Sequence, residues 1–411
     1  MTEARKTLSL VVVAAALALL AWVTLPRAVP VEVMADRGVA FFPDFSDPNS
    51  ATSLEVVEFD AHTSIARPFK VLNRDGRWTI PSQHDYPADN RNRLSSIAAA
   101  VIALRKDDVA GENVSDHERL GVVDPLDDTL PGSTGRGTRI TVRGRNDRLL
   151  ADIIAGTPVD GRPLFRYVRL PGEKRTYIAR VEGLDISTRF EDWIERNLLL
   201  VDRSEIDQVL VRNYSADAKT GKVDQRETLA FRSIGRDQWQ AAGMQPGEAI
   251  DTFTMNLLVT KLVDLSIVDV QPKPEGITAS LGRAEGSARL TSADVAELAT
   301  RGFYFTQDGR LLSNQGEVLV HTTLGIFYIL RFGEVASGTV PENRYLFISV
   351  GFDNSNGPPS DDARARLDVL RARFAPWYYV VSDDSFKKIR VARREILKPA
   401  RAVRQPPDQP Q

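Results

Sequence analysis

The sequence contains no cysteine among its 411 residues. Without thiols the chain has no disulfide, no thiolate nucleophile, no iron–sulfur cluster and no cysteine-ligated zinc. Histidine is scarce as well, and none of the 4 histidines lies at the spacing of a zinc site on a helix or a strand. We therefore expect a protein without a metal or other cofactor, suited to a compartment in which thiols are oxidised.

The sequence also lacks a large excess of positive or negative charge. The 53 basic residues nearly balance the 55 acidic ones, which gives a formal charge of -2. No global field therefore attracts the protein to nucleic acid or to an anionic membrane surface. The glycine patterns of nucleotide-binding loops and the serine elbow of hydrolases are missing too. We expect neither nucleic acid nor a nucleotide among its ligands.

Four pairs of adjacent aspartates raise the question of whether the protein is a hydrolase that uses two carboxylates. Adjacent carboxylates point to opposite faces of a strand and lie about 100° apart on a helix, so such pairs seldom converge on one substrate. A possible calcium loop at Asp353 lacks the later glutamate that would complete it. A carboxylate-dependent hydrolase stays a minor alternative, built from acids that meet from distant strands. The pairs are Asp107-Asp108, Asp127-Asp128, Asp361-Asp362 and Asp383-Asp384.

An uncharged, apolar run covers residues 8–25, after Arg5 and Lys6 and before Pro26. At about 1.5 Å per residue it would form a helix of roughly 27 Å, near the thickness of a bilayer's hydrocarbon core. No small-x-small cleavage site follows, so we predict an uncleaved signal anchor rather than a cleaved signal peptide or a buried helix. The basic pair makes residues 1–27 a cytoplasmic stub and transmembrane anchor and places the rest outside the cytoplasm.

One pattern of strands, turn, tryptophan and helix occurs twice, around Trp78 and Trp239. After each tryptophan, apolar residues recur at the spacing of a helix with one buried face. Asp89 and Asp251 stand at the expected N-caps. The pattern predicts two equivalent units in which both tryptophans are largely buried. The apolar helical positions are Leu94, Ile97, Ala98, Val101 and Leu104, then Ile250, Phe253, Leu257, Leu258, Leu262 and Leu265, with Val109 and Val270 aligned beyond them.

The predicted fold class is α+β: an N-terminal single transmembrane helix followed by two tandem units of antiparallel strands, each with a packed helix. The first unit covers residues 28–200 and closes with a helical segment at 190–199. The second covers residues 201–397 and carries an inserted helix at about 361–374, where the first copy has only a turn. Residues 398–411 are rich in proline and are predicted to be a disordered tail.

A dense basic segment covers residues 387–404, where cationic side chains far outnumber the one acid, Glu395. Such a segment is typical of a surface for anionic headgroups, an acidic glycan or an acidic partner, and the alternative is a solvated arm. We predict an ordered strand and turn with the charged ends on one side. Because exposed lysines contribute little to folding, charge reversal at Lys387 and Lys388 should spare thermal stability. The candidate contact residues are Lys387, Lys388, Arg390, Arg393 and Arg394; no catalytic residue or metal ligand is predicted.

The order of these parts resembles a known bacterial family. The similar parts are the N-terminal signal anchor, the strand pair ending in Trp78, Pro-Ala-Asp at 87–89, Gly-Val-Val-Asp-Pro at 121–125, the strand at 177–179 and the segments at 373–384 and 386–389. Together they are similar to the family called domain of unknown function 4340 over most of residues 50–397. The resemblance implies an association with ABC-2 type export permeases or gliding-motility-type auxiliary components, and it carries no catalytic residues.

These observations favour a non-enzymatic, single-pass protein of the inner membrane whose units project outward. We expect an accessory or binding component of an ABC-type export system, with the membrane and an ABC-2 type permease or auxiliary membrane protein as partners. The alternative is an extracytoplasmic module that binds a cell-envelope glycan or lipid independently of any transporter.

Overall fold

The computed structural model describes residues 14–15, 37–88, 91–129, 132, 134–184, 186–216, 222–275, 277, 291–306, 310–336 and 342–399. Contacts along the chain divide it into two compact units. The first unit takes in Met1–Phe69 and Asn92–Thr188, and the second takes in Lys70–Arg91 and Arg189–Gln411.

Nine strands form the first large sheet, namely β1 Ala51–Asp60, β2 Ile65–Arg74, β3 Arg77–Ile80, β4 Tyr86–Pro87, β5 Asp108–Gly111, β6 Thr138–Gly144, β7 Leu149–Val159, β8 Arg162–Arg169 and β9 Thr176–Arg180. Hydrogen bonds join them in the order β4-β3-β2-β1-β6-β7-β8-β9-β5. The ladders are antiparallel, with Val56 opposite Ile140 and Val168 opposite Tyr177. All four of these side chains are buried, as expected where one face of a sheet covers a core.

Eight strands form the second large sheet, namely β10 Ile206–Ala216, β11 Val223–Gly235, β12 Gln238–Ala241, β14 Asp269–Pro272, β17 Glu317–Thr322, β18 Ile326–Val335, β19 Asn343–Phe352 and β20 Trp377–Ser382. Their order is β12-β11-β10-β17-β18-β19-β20-β14. Short strands form two smaller sheets, in which β13 Glu248–Ile250 pairs with β21 Leu397–Pro399 and β15 Phe303–Phe305 pairs with β16 Leu311–Ser313.

The helices lie between these strands and at the end of the second unit. Their bounds are α1 Arg91–Ala103, α2 His117–Leu120, α3 Thr252–Val263, α4 Ser292–Thr300, α5 Asp361–Phe374, α6 Asp383–Ile389 and α7 Arg393–Ile396. Helix α5 has the bounds that the sequence indicated for an inserted helix, and residues 170–175 alone join the corresponding strands β8 and β9 of the first sheet.

The two large sheets share one strand order. In each sheet the first long strand lies in the interior, with its hairpin partner on one side and the later strands on the other. The sheet then ends in an edge strand that directly follows a helix along the chain. Strand β1, helix α1 and strand β5 therefore correspond to β10, α3 and β14, which gives a structural counterpart to the sequence pattern around the two tryptophans.

The predicted α+β fold class with an N-terminal transmembrane helix was wrong. The structure is mostly antiparallel sheet, and no helix among the described residues is long and apolar enough to cross a membrane. The predicted span at residues 8–25 lies outside the described residues except for positions 14 and 15. The sequence underestimated the strand content because strands extend beyond their apolar runs. Polar residues such as Asp224 and Gln225 of β11 pair in the ladder but add nothing to the hydrophobic pattern from which strands were predicted.

The buried faces of α1 and α3 confirm most of the helical spacing. Val101 is 1% exposed, and Leu258 and Leu262 are 0% exposed. Phe253, which was predicted to share the buried face of α3, is instead 78% exposed. It lies in the first turn of the helix, and Met255 at 1% exposure fills the core there.

Three further expectations about local structure were wrong. The helix predicted at 190–199 is only a 3₁₀ turn at Phe190–Asp192, although Trp193 after it is buried. Trp78 and Trp239 are half-buried rather than largely buried, because each lies on a short strand at the sheet edge or next to it. Lys398, placed in the disordered tail, belongs to β21, whereas residues 400–411 lie outside the described residues.

The predicted N-cap at Asp251 is confirmed, and Asp89 lies outside the described residues. The Asp251 carboxylate accepts the backbone N–H of Thr254 at 2.8 Å and the ammonium of Lys398 at 2.6 Å. The hydrogen bond from Lys398, followed by that from Thr254, lowers the pKa of Asp251 to about 2. The start of α3 is therefore held to strand β21 through one carboxylate.

Leu262→Ala should lower the free energy of unfolding by about 2–5 kcal/mol, because the change removes buried surface and leaves a cavity. Phe253→Ala on the same helix should change it by no more than about 0.5 kcal/mol, because the ring is exposed. Urea denaturation followed by circular dichroism measures both values. Equal losses in the two variants would contradict the assigned face of α3.

Lys398→Gln should raise the pKa of Asp251 towards its usual range, because the ammonium is the main cause of the lowered pKa. The stability that Asp251 contributes is fully present above its unfolded-state pKa of about 3.9 and is lost as the pH falls through the folded pKa. Nuclear magnetic resonance titration of the side-chain carboxyl carbon measures the shift. Lys261→Gln is the matched control and should leave Asp251 unchanged.

Candidate functional site

The predicted basic segment lies on helices α6 and α7 rather than on a strand and turn. On α6, the ammonium of Lys387 lies 2.5 Å from a carboxylate oxygen of Asp383, and that of Lys388 lies 2.6 Å from one of Asp384. Both pairs have the i, i+4 spacing that brings side chains together on a helix. The two lysines are thus neutralised within their own helix.

Two of the three arginines that follow are also hydrogen-bonded within the protein. Arg390 donates from Nε to Asn213 Oδ1 at 3.0 Å, and Arg393 donates from Nη2 to Glu248 Oε2 at 2.6 Å. Arg394 is exposed and has no polar partner within the described part of the chain. The role of these five residues in partner contact stays a prediction, but the charge available for it is smaller than their number indicates.

Lys387 has a structural role that its sequence position did not reveal. Its partner Asp383 has a side chain only 9% exposed and also lies 2.7 Å from Nε of Arg344. Burial alone would raise the pKa of Asp383, but the hydrogen bonds from Lys387 and Arg344 outweigh it and hold that pKa below the usual value. The Lys388 partner Asp384 is 56% exposed, so the two lysines differ in what they neutralise.

Lys387→Glu should lower the melting temperature, because it places a second negative charge beside a nearly buried carboxylate. This expectation replaces the one drawn from the sequence, in which the lysine was taken as simply exposed. Lys388→Glu is the matched control and should have a much smaller effect, because solvent screens Asp384. Differential scanning calorimetry compares the two, and equal shifts would show that Asp383 does not depend on Lys387.

A cavity of about 750 Å³ lies in the first unit. It is bordered by helix α2, the loop after it, strand β6, the end of β8 and the turn between β8 and β9. Helix α2 ends at Gly121, which adopts a left-handed conformation with a φ of 70°. The chain then lies so close to β7 that a Cβ at Gly156 would be 2.4 Å from the carbonyl oxygen of Leu120. The loop at 121–125 is thereby pressed onto the sheet.

Arg139 fixes the polar end of that loop. Its Nε and Nη2 donate to the two carboxylate oxygens of Asp152 on the neighbouring strand β7, at 3.0 and 2.7 Å. Its Nη1 donates to Asp124 at 3.0 Å, and Asp152 also accepts from the hydroxyl of Thr141 at 3.1 Å. The hydrogen bond with Asp152 raises the pKa of Arg139. Asp124 is therefore held at the cavity by a guanidinium that is itself anchored in the sheet.

Arg169 borders the same cavity from the end of β8 and is only 6% exposed. Its Nε donates to the carbonyl oxygen of Val122 at 2.9 Å, and its Nη1 donates to those of Glu173 at 3.0 Å and Leu170 at 3.4 Å. Burial lowers the pKa of Arg169. This side chain joins the loop at 121–125 to the turn between β8 and β9.

Other polar groups of the cavity are hydrogen-bonded within the protein. Nε2 of His117 donates to the carbonyl oxygen of Lys174 at 2.8 Å, so the imidazole supports the turn. Glu118 accepts from the hydroxyl of Thr134 at 2.6 Å, and Asp127 accepts from the backbone and side chain of Thr129. In the described residues no three histidine or acidic side chains are grouped to hold a metal ion. We find no nucleophile with an adjacent base among these contacts.

The sequence prediction did not identify this cavity. Asp127 was considered only as one of the neighbouring acids that seldom converge on a substrate, yet both Asp127 and Gly132 border the cavity. The Gly-Val-Val-Asp-Pro sequence at 121–125 was noted only for its resemblance to a family. It was the strongest available signal, because it supplies both Asp124 and the carbonyl that Arg169 binds.

Comparison with known proteins gives a match to a family model. Residues 78–280 match the family model described as a domain of unknown function (DUF4340), a range that includes the loop at 121–125 as well as Arg139 and Arg169. No curated protein and no solved structure shows a significant match.

Proposed function

We propose that this chain, which the match assigns to the DUF4340 family, is a non-enzymatic binding component that works outside the cytoplasm as an accessory of an ABC-type export system. The observation that carries the proposal is the cavity of the first unit. Its charged groups are held rigidly by the sheet and by backbone carbonyls, which is an arrangement for holding a ligand in one orientation.

The state of the acids in the cavity favours binding over hydrolysis. A hydrolase of the carboxylate type needs one carboxyl group as an acid and another as a base or nucleophile, both directed at the same bond. Asp124 is instead paired with Arg139, and Glu118 with the hydroxyl of Thr134. The hydrolase alternative thus has no support from the described residues.

Two features favour a site of action outside the cytoplasm. No cysteine occurs among the 411 residues, which suits a compartment in which thiols are oxidised. The positive charges near the start of the chain precede a long apolar run, which is the order that exported proteins have. Partnership with an exporter rests on the family resemblance, and ligand binding does not depend on it.

Helix α5 offers a place for a protein partner. It begins at the Ser360 N-cap and buries Leu367 and Leu370 against the second unit, while Val369 between them is 63% exposed. Such an insertion is a common place for partner contacts, because it extends a loop without altering the sheet. An exposed, β-branched side chain on a helix is rarely needed for stability and is available for a contact.

The full chain, tagged and recovered from detergent-solubilised membranes, should bring with it subunits of an ABC-type exporter. Val369→Asp should reduce that recovery several-fold, because it places a charge on the proposed contact. Val295→Asp on α4 is the matched control, since Val295 is also an exposed valine on a helix. Quantitative mass spectrometry measures the recovery. Absence of any exporter subunit, or equal recovery with both variants, would contradict this part of the proposal.

A second candidate is a module that binds a cell-envelope glycan or lipid without a transporter. The same cavity favours it, because the cavity has charged and apolar borders and needs no partner protein. The two candidates differ in the experiment above: ligand binding without recovery of exporter subunits would support the second.

A further inference from the structure

Arg169 has hydrogen-bonding capacity that the protein does not use. A guanidinium carries five N–H groups, one on Nε and two on each terminal nitrogen. The Nε group and the two on Nη1 face the carbonyl oxygens of Val122, Leu170 and Glu173. Nη2 has no hydrogen-bond partner in the part of the chain that the structure describes. Two donors of a side chain that is only 6% exposed are therefore available.

These donors open to the cavity. Arg169 is one of the residues that border it, and Nη2 is not among the buried polar atoms that are cut off from solvent without a partner. Leu126 and Gly172 also border the cavity at its exposed side. A molecule that enters from solvent can therefore meet Nη2 directly.

Arg169 also lacks a counter-ion in contact. Its three acceptors are carbonyl oxygens, which orient the guanidinium but carry no net charge. Among the nearby acids, Asp124 is bound by Arg139, Glu118 by Thr134 and Asp127 by Thr129. Glu173 contributes its carbonyl to Arg169, while its carboxylate lies on the exposed turn. Asp124, Asp127 and Glu173 stabilise the guanidinium from a distance, but none of them accepts a hydrogen bond from Nη2. An anionic group in the cavity would take up these two unused donors in charge-assisted hydrogen bonds.

Lys174 adds a cation on the rim of the cavity, which Arg136 and Arg139 also border. Lys174 is exposed, borders the cavity and has no side-chain partner within the described ranges. Its backbone carbonyl accepts from His117, which fixes the turn on which it stands. The buried guanidinium of Arg169 and the exposed ammonium of Lys174 border the same cavity. This arrangement suits a ligand whose anionic group enters the cavity ahead of the rest of the molecule.

We propose that this cavity binds a small molecule through an anionic group, a carboxylate or a phosphate, held by Nη2 of Arg169 and assisted by Lys174. The inference deepens the function proposed above and rests only on its ligand-binding part, not on the partnership with an exporter. The two anions share the chemistry that Nη2 recognises, an oxygen that accepts charged hydrogen bonds, and the test separates them.

The test is isothermal titration calorimetry of the full chain with inorganic phosphate, with acetate and with glucose as the neutral probe. We expect phosphate or acetate to bind and glucose not to bind. Arg169→Gln should weaken binding by at least about tenfold, as expected for the loss of a charged hydrogen bond. Arg166→Gln is the matched control, because Arg166 lies on the same strand and does not border the cavity.

A second variant covers the case in which Arg169→Gln fails to fold. Leu126 is 47% exposed and borders the cavity, so Leu126→Glu adds a negative charge there with little effect on the core. It should weaken anion binding several-fold, while the neutral Leu126→Gln should not. Binding that is equal in all variants, or no binding of either anion to the wild type, would overturn the inference. Either result leaves recovery of exporter subunits as a separate test of the proposed function.

Discussion

The cavity of the first unit depends on one ion pair, the bidentate contact between Arg139 and Asp152. Asp152 lies directly opposite Thr141 in the ladder between β6 and β7, so the pair is set by the register of two interior strands. A slip by one residue would move these side chains to the other face of the sheet. The register therefore orients Arg139, Arg139 holds Asp124, and the loop at 121–125 presents to Arg169 the carbonyl oxygen that it needs.

The features that the sequence predicted well are those with a short range along the chain. The buried faces of α1 and α3 and the N-cap at Asp251 follow from spacing within one helix. The failures have a different origin. Phe253 fits the helical spacing but lies in the first turn, and the half-buried Trp78 lies on a short strand near the edge of a sheet. Spacing alone does not say where an element lies relative to the edge of the structure.

The candidate site was less predictable, because it is assembled from distant parts of the sequence. Asp124, Arg139 and Arg169 each look like an ordinary polar residue of a loop or a strand until the sheet brings them together. The basic segment had the opposite effect on the prediction. Its dense positive charge is plain in the sequence and indicated a contact surface, whereas most of that charge is paired in the structure. For the two lysines the neutralisation is local: Asp383 and Lys387, for example, are four residues apart, which on a helix places a carboxylate and an ammonium in contact. The partner of Arg393, in contrast, is the distant Glu248.

Two buried arginines show why only one of them points to a ligand. In the second unit, Nε of Arg331 lies 3.1 Å from a carboxylate oxygen of Glu317, whose other oxygen lies 2.8 Å from Arg212. Arg331 therefore has a carboxylate in contact within the sheet, which it shares with Arg212. Arg169 is only 6% exposed, but it is held by neutral carbonyl oxygens and retains two donors at a cavity. Burial alone does not mark a binding site; unused hydrogen-bond donors at a cavity do, and Nη2 of Arg169 supplies them.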